Sequence, residues 1–193
     1  MKIKTVLGIL GRLNLLIALA MLAPIFVAWQ YQEADLIPLA KAFGITVLVS
    51  ALFALLFRPP KKDLTHREGI MIVTFGWVTA GLFGALPFIL TNTFGIFGLE
   101  SFVNSFFESI SGLTTTGASV LGTHRTIESL SHGLLFWRSL THWLGGMGII
   151  VLTIAILPLL GVGGMQLYKA EMPGPMAEKL KPRIRQTAMT LWL

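Results

Sequence analysis

Sixteen residues near the middle of the chain, FFESISGLTTTGASVL from Phe106 to Leu121, limit what the rest can become. They lie between two long apolar segments. Yet they include Glu108, Ser109, Ser111, three consecutive threonines (Thr114, Thr115, Thr116), Gly117 and Ser119. The 193-residue chain is 54% hydrophobic and only 12% charged, far from the balance of a soluble domain, and it reads as a polytopic membrane protein. A polar, glycine-containing stretch in such a chain is either a loop in water or a re-entrant loop. Non-helical backbone at membrane depth is tolerated only where protein buries it or it lines a water-filled cavity. Phe102 to Ser111 is expected to form a short helix, with Phe102, Phe106, Phe107 and Ile110 on its apolar side and Gly112 as its stop. A hydroxyl-rich segment follows from Leu113 to Ser119. A half-helix feeding such a segment can replace a cation's water shell with carbonyl oxygens, and it aims the negative end of its dipole at the ion. The stretch is read as a pore loop.

The flanking segments supply the membrane spans. Lys2, Lys4 and Arg12 precede an apolar run that reaches Trp29. Ala18-Leu19-Ala20 offers a cleavage-like triplet, but the run continues past it, so the reading taken is an uncleaved first helix kinked at Pro24. A polar link from Gln30 to Asp35 leads to a second span, Leu36 to Phe57, with Lys41 near its outer end. Arg58 to Glu68 forms a proline-broken basic loop, and Thr65 with Glu68 has capping-box spacing for a third helix. Its apolar run, Gly69 to Leu90, is long enough to cross ~30 Å of hydrocarbon. Gly76, Gly81 and Gly84 are expected to permit close helix contact. Asn92 to Leu99 and Gly122 to Gly133 read as loops, and a last full span runs from about Leu134 to Leu160. Lys169 to Arg185 is basic and proline-broken, and Gln186 to Leu193 opens another apolar run.

Charge sets the orientation. The net charge of +6 would suggest nucleic acid in a soluble protein, but membrane proteins concentrate Lys and Arg in cytoplasmic loops. Lys2, Lys4, Arg12, Arg58, Lys61, Lys62, Arg67, Lys169, Lys179, Lys181, Arg183 and Arg185 all fall on one face if the pore loop does not cross fully. Of the 15 basic residues, only Lys41, Arg125 and Arg138 then lie on the other. The bias supports a loop entered from outside and a cytoplasmic N-terminus.

Enzyme chemistry finds no footing. The chain has no cysteine, and His66, His124, His132 and His142 do not give the paired spacing of a zinc protease. Ser111 and His142 could be imagined as a serine-protease pair, but nothing local activates either. The chain is read as no enzyme, with no organic cofactor. Glu108 either adds field to the pore or braces the half-helix by hydrogen bonds. Arg138 and His142, one turn apart, are expected to be a headgroup-level arginine and a hydrogen-bonded histidine, and Gly145, Gly146 and Gly148 to serve helix packing. A non-conducting membrane scaffold is the rival reading, and it leaves the Thr-Thr-Thr-Gly loop unexplained.

With the order helix, half-helix, Thr-Thr-Thr-Gly, helix, preceded by two extra spans, the chain resembles the start of the TrkH-like membrane subunit of bacterial Trk potassium uptake systems. That family belongs to the Trk/Ktr/HKT superfamily. The residues that carry the likeness are 106–121, WRSLTHWLGGMGIIVLTIAILP at 137–158 and, more weakly, KLKPRI at 179–184. The resemblance implies an all-α membrane fold of four helix, pore loop, helix repeats around one pore. This chain would hold the leading pair (1–68), the first repeat (69–164), and a link with the start of the second (165–193). It would then be an N-terminal portion of a longer subunit, with a small homotetrameric channel as the alternative. By resemblance, Thr115 and Thr116 supply potassium-facing oxygens and Gly117 is the filter glycine, with Thr114 and Ala118 as lesser candidates. Potassium is the implied transported ion. The implied setting is the bacterial inner membrane and its lipid, as a homodimer of the full-length subunit with a cytosolic nucleotide-binding (TrkA-like) regulator. In the superfamily a glycine at this loop position goes with potassium selectivity and a serine with sodium transport in many plant members.

Overall fold

Lys4 and Arg12 are the only charged residues in the 28-residue helix α1 (Ile3–Gln30), which continues through Pro24. A five-residue link turns the chain into α2 (Leu36–Leu56), and α3 (His66–Leu90) returns alongside. At ~1.5 Å per residue all three can cross ~30 Å of hydrocarbon. The computed structural model describes residues 3–57, 66–123 and 126–148, and every regular element among them is helical. The expected cap at Thr65, the rest of the last span and the Lys169–Arg185 cluster lie outside these residues.

Two shorter helices complete the described part: α4 (Leu99–Leu113) and α5 (His132–Trp143). Between them the chain makes single turns of 3-10 helix at Leu121–Thr123 and Ile127–Ser129, and after α5 a π-helical turn spans Leu144–Gly148. Thus α4 starts three residues earlier than expected and runs through Gly112, which does not stop it. The reason is contact rather than propensity: the missing side chain of Gly112 makes room for Thr141 of α5. Helix α5 likewise starts two residues before Leu134, because the Ser131 hydroxyl accepts the Leu134 amide at its N-terminus.

Helix association in a bilayer gains little from burying apolar surface, so small residues and close packing decide it. A Cβ on Gly11 would stand 2.7 Å from the Ser50 carbonyl oxygen and the Ala54 nitrogen, so α1 and α2 meet almost backbone to backbone. Gly81 and Gly84 instead let side chains of α4 pack onto the α3 backbone, Ile110 against Gly81 and Ser109 against Gly84. Gly76 does not share that role, since its nearest neighbour would be Leu10 Cδ2 at 3.9 Å. Trp137 of α5 is fully buried, and its indole N–H donates to the Gly84 carbonyl at 3.0 Å, which ties α5 to α3. Helix α2 instead exposes Ile37, Leu48, Leu52, Leu55 and Leu56, as suits a lipid-facing span.

The α1–α2 link is fastened to the start of α5. Glu33 Oε1 accepts the His132 amide at 2.6 Å and lies 2.8 Å from His132 Nδ1, while Oε2 accepts the Gly133 amide at 2.9 Å. Tyr31 stacks on the His132 ring, with centroids 4.0 Å apart. Partial burial pushes the Glu33 carboxyl up, but the Gly133 and His132 donors outweigh it and hold the group below its ordinary range. A depressed folded value means that this contribution is present at neutral pH and lost as pH falls through it. The purified protein is therefore expected to lose thermal stability below the usual glutamate range. Glu33→Gln should flatten that part of the profile and cost about 1 kcal/mol at neutral pH, the scale of a helix cap. An unchanged acid limb in Glu33→Gln would sink this account.

Candidate functional site

The polar stretch is built on α4, whose faces are reversed relative to a soluble helix. Ser101, Ser105, Glu108, Ser109 and Gly112 fall on its buried side, while Phe102, Val103 and Phe107 are exposed. Helix α4 ends at Leu113, and Thr114 closes it by donating both its amide and its hydroxyl to the Ile110 carbonyl, each at 2.8 Å. The chain then folds back on the helix end. The Thr115 amide donates to Gly112 O at 2.9 Å, and the amides of Thr116 and Gly117 donate to Ser111 O at 3.0 and 3.4 Å. This reversal places two residues in left-handed backbone, Thr115 at φ 56° and Gly117 at φ 75°. Glycine adopts that region freely, whereas at Thr115 it is strain.

All five residues singled out from the sequence come together. Thr114, Thr115, Thr116, Gly117 and Ala118 form one continuous exposed segment at the C-terminal, negative end of α4. The amides of Thr116 and Gly117 point back at the helix, so the carbonyls of Thr115 and Thr116, on the opposite edge of the same planar peptide units, point away from it. No backbone amide among the described residues engages them or the Gly117 carbonyl. Ala118 differs, since its carbonyl accepts the Ser111 hydroxyl at 2.5 Å. The Thr114 and Thr116 hydroxyls lie 2.8 Å apart.

Behind the loop sits a buried charge pair. Glu108 is 1% exposed, and its Oε1 accepts from Ser119 Oγ at 2.5 Å and from the Val120 amide at 2.7 Å. Its Oε2 lies 3.2 Å from Arg138 Nε. Arg138 is therefore not simply solvated: a buried carboxylate on the neighbouring helix holds it, because a charge away from water needs a partner. His142 fits its simpler reading, with Nδ1 2.9 Å from the Arg138 carbonyl. Bracing by Glu108 is observed, though of the loop after the threonines as much as of the helix. Gly145 also serves packing, lying against the backbone of Leu113.

The comparisons agree with this architecture. The sequence profile of TrkH, described as a cation transport protein, matches residues 38–193. The chain belongs to the TrkH family. Among relatives, the Trk system potassium uptake protein TrkH of Escherichia coli K12 is 43% identical over 194 residues, covering 100% of this chain and 39% of its own length. TrkH of Halomonas elongata is 44% identical over 193 residues, with the same coverage. The crystal structure of the potassium transporter TrkH from Vibrio parahaemolyticus superposes with a TM-score of 0.74 at 36% identity, covering 100% of this chain and 36% of that one. The chain thus spans about two fifths of the length of the TrkH relatives it matches.

Proposed function

We propose that this chain supplies the leading helix pair and the first helix, pore loop, helix repeat of a potassium-uptake subunit, and that Thr115, Thr116 and Gly117 form one quarter of its selectivity filter. The observation that carries the reading is the folded-back segment at the end of α4. The Thr116 and Gly117 amides are turned onto Ser111, so the carbonyls of Thr115 and Thr116 in the same peptide units face away and are left as ligands for a dehydrated cation. Thr114, whose amide and hydroxyl close the helix, contributes less, and Ala118 O is already engaged by Ser111. A single loop offers too few oxygens to replace a water shell, so four such repeats are needed around the ion. The relatives' name, Trk system potassium uptake protein, supports potassium as the transported substrate. The same reading puts the protein in the bacterial inner membrane as a homodimer, with a cytosolic nucleotide-binding regulator and a cytoplasmic N-terminus.

Topology provides a direct test, because the absence of cysteine makes single labels clean. Gln32→Cys and His124→Cys are expected to react with an impermeant thiol reagent only from outside, and Lys61→Cys and Lys181→Cys only from the cytoplasmic side. Labelling of His124→Cys and Lys181→Cys from the same side would mean that the loop crosses completely, and the pore reading would fail.

A further inference from the structure

Two polar side chains on α4, one helical turn apart, fasten the leg of the loop that follows Gly117. Ser111 Oγ donates to the Ala118 carbonyl, and Glu108 takes the Ser119 hydroxyl and the Val120 amide on one oxygen. Ser119 Oγ in turn accepts the Leu121 amide at 3.1 Å, so the chain is held over four consecutive residues. The leg before Gly117 is tied to the same helix end through the amides of Thr115 and Thr116. Both ends of the Thr115–Gly117 segment are therefore anchored on α4. Arg138 meets the remaining oxygen of Glu108, which links the anchor to α5. An apolar pair of the same volume would commonly serve stability as well as a buried ion pair. What an apolar pair cannot do is grip a hydroxyl and an amide of the loop.

We propose that Glu108, oriented by Arg138, is a positioning residue that sets the discrimination between potassium and sodium by clamping Ser119 and Val120. This rests on the reading of Thr115–Gly117 as the filter. Glu108 reaches the ion only through the loop. With both legs fixed, the intervening carbonyls keep the spacing that suits the larger ion and resist closing around the smaller one. A loosened leg lets them follow sodium inward.

The test is competitive uptake of rubidium and sodium by the full-length subunit in proteoliposomes, normalised to the amount of folded protein. Ser119→Ala and Glu108→Asp are each expected to lower the rubidium-to-sodium ratio roughly three- to tenfold, the range spanned by one net hydrogen bond. Ser119→Thr, which keeps the hydroxyl, should retain the wild-type ratio. Arg138→Gln should lower the ratio alone but add little to Glu108→Gln, since the two residues act as a unit. Fully additive effects would exclude Arg138 from the clamp. If Ser119→Ala and Glu108→Asp reduce total uptake at an unchanged ratio, while Gly117→Ser lowers it, the clamp is only structural and the filter reading stands. If Gly117→Ser also leaves the ratio unchanged, the filter reading fails and the proposal with it.

Discussion

Gly117→Ser in the full-length subunit is expected to lower the rubidium-to-sodium uptake ratio by about an order of magnitude while the protein still folds and inserts. Gly117 has φ 75°, and a Cβ built on it meets nothing within 4 Å. A serine therefore fits the space, and its whole penalty lies in the backbone. Left-handed backbone costs a residue with a Cβ roughly 1–2 kcal/mol, and ~1.4 kcal/mol corresponds to tenfold in an equilibrium constant. The chain can relieve that strain only by turning the peptide units on either side of residue 117. Those units carry the carbonyls proposed to face the ion. Hence selectivity changes and stability changes little. Thr114→Ser is the matched control, because Thr114 has φ −84° and its hydroxyl is engaged with Ile110 O and Thr116 Oγ1. A wild-type ratio in Gly117→Ser at normal expression would mean that this loop is not the filter.

The spans and the folded-back polar segment are legible because the membrane imposes long apolar runs, and FFESISGLTTTGASVL interrupts them. Gly117 was legible for the same reason, as a glycine where backbone has to turn. Thr115 at φ 56° was not, since nothing in a threonine announces left-handed backbone. The Glu108–Arg138 pair is not visible when each residue is weighed alone. A signal is present, however: an acid in the half-helix and a base inside the following apolar helix each need a partner away from water, and the structure pairs them. The end of α4 was misplaced because glycine's low helix propensity suggested a stop at Gly112. Contact with Thr141 overrides that propensity, and only three-dimensional packing reveals it. Gly76, Gly81 and Gly84 looked alike in sequence, yet only the latter two face α4 closely, which spacing along one helix cannot decide.

Gly145→Ala should have the opposite signature to Gly117→Ser: large in stability, and in transport only as a consequence. Gly145 opens the glycine-rich part of the π-helical turn Leu144–Gly148, where α5 passes the end of α4. A Cβ there would overlap the Leu113 carbonyl oxygen and stand 2.6 Å from its carbon and 3.0 Å from Leu113 Cα. These are backbone atoms in the last turn of α4, so no side chain can swing aside, and one of the two elements must move. Overpacking of this kind costs typically 1–3 kcal/mol. Leu113 is buried and directly precedes Thr114, so a displaced α4 end carries the whole loop with it. Gly146→Ala is the comparison, because its Cβ would meet only Thr115 Cγ2 at 3.6 Å, an ordinary contact with a side chain that can turn. Thermal unfolding in detergent should therefore show a clear loss for Gly145→Ala and a small one for Gly146→Ala, with rubidium uptake falling in the same order. Equal stability of the two variants would mean that α5 does not press on the end of α4 and that Gly145 has no packing role there.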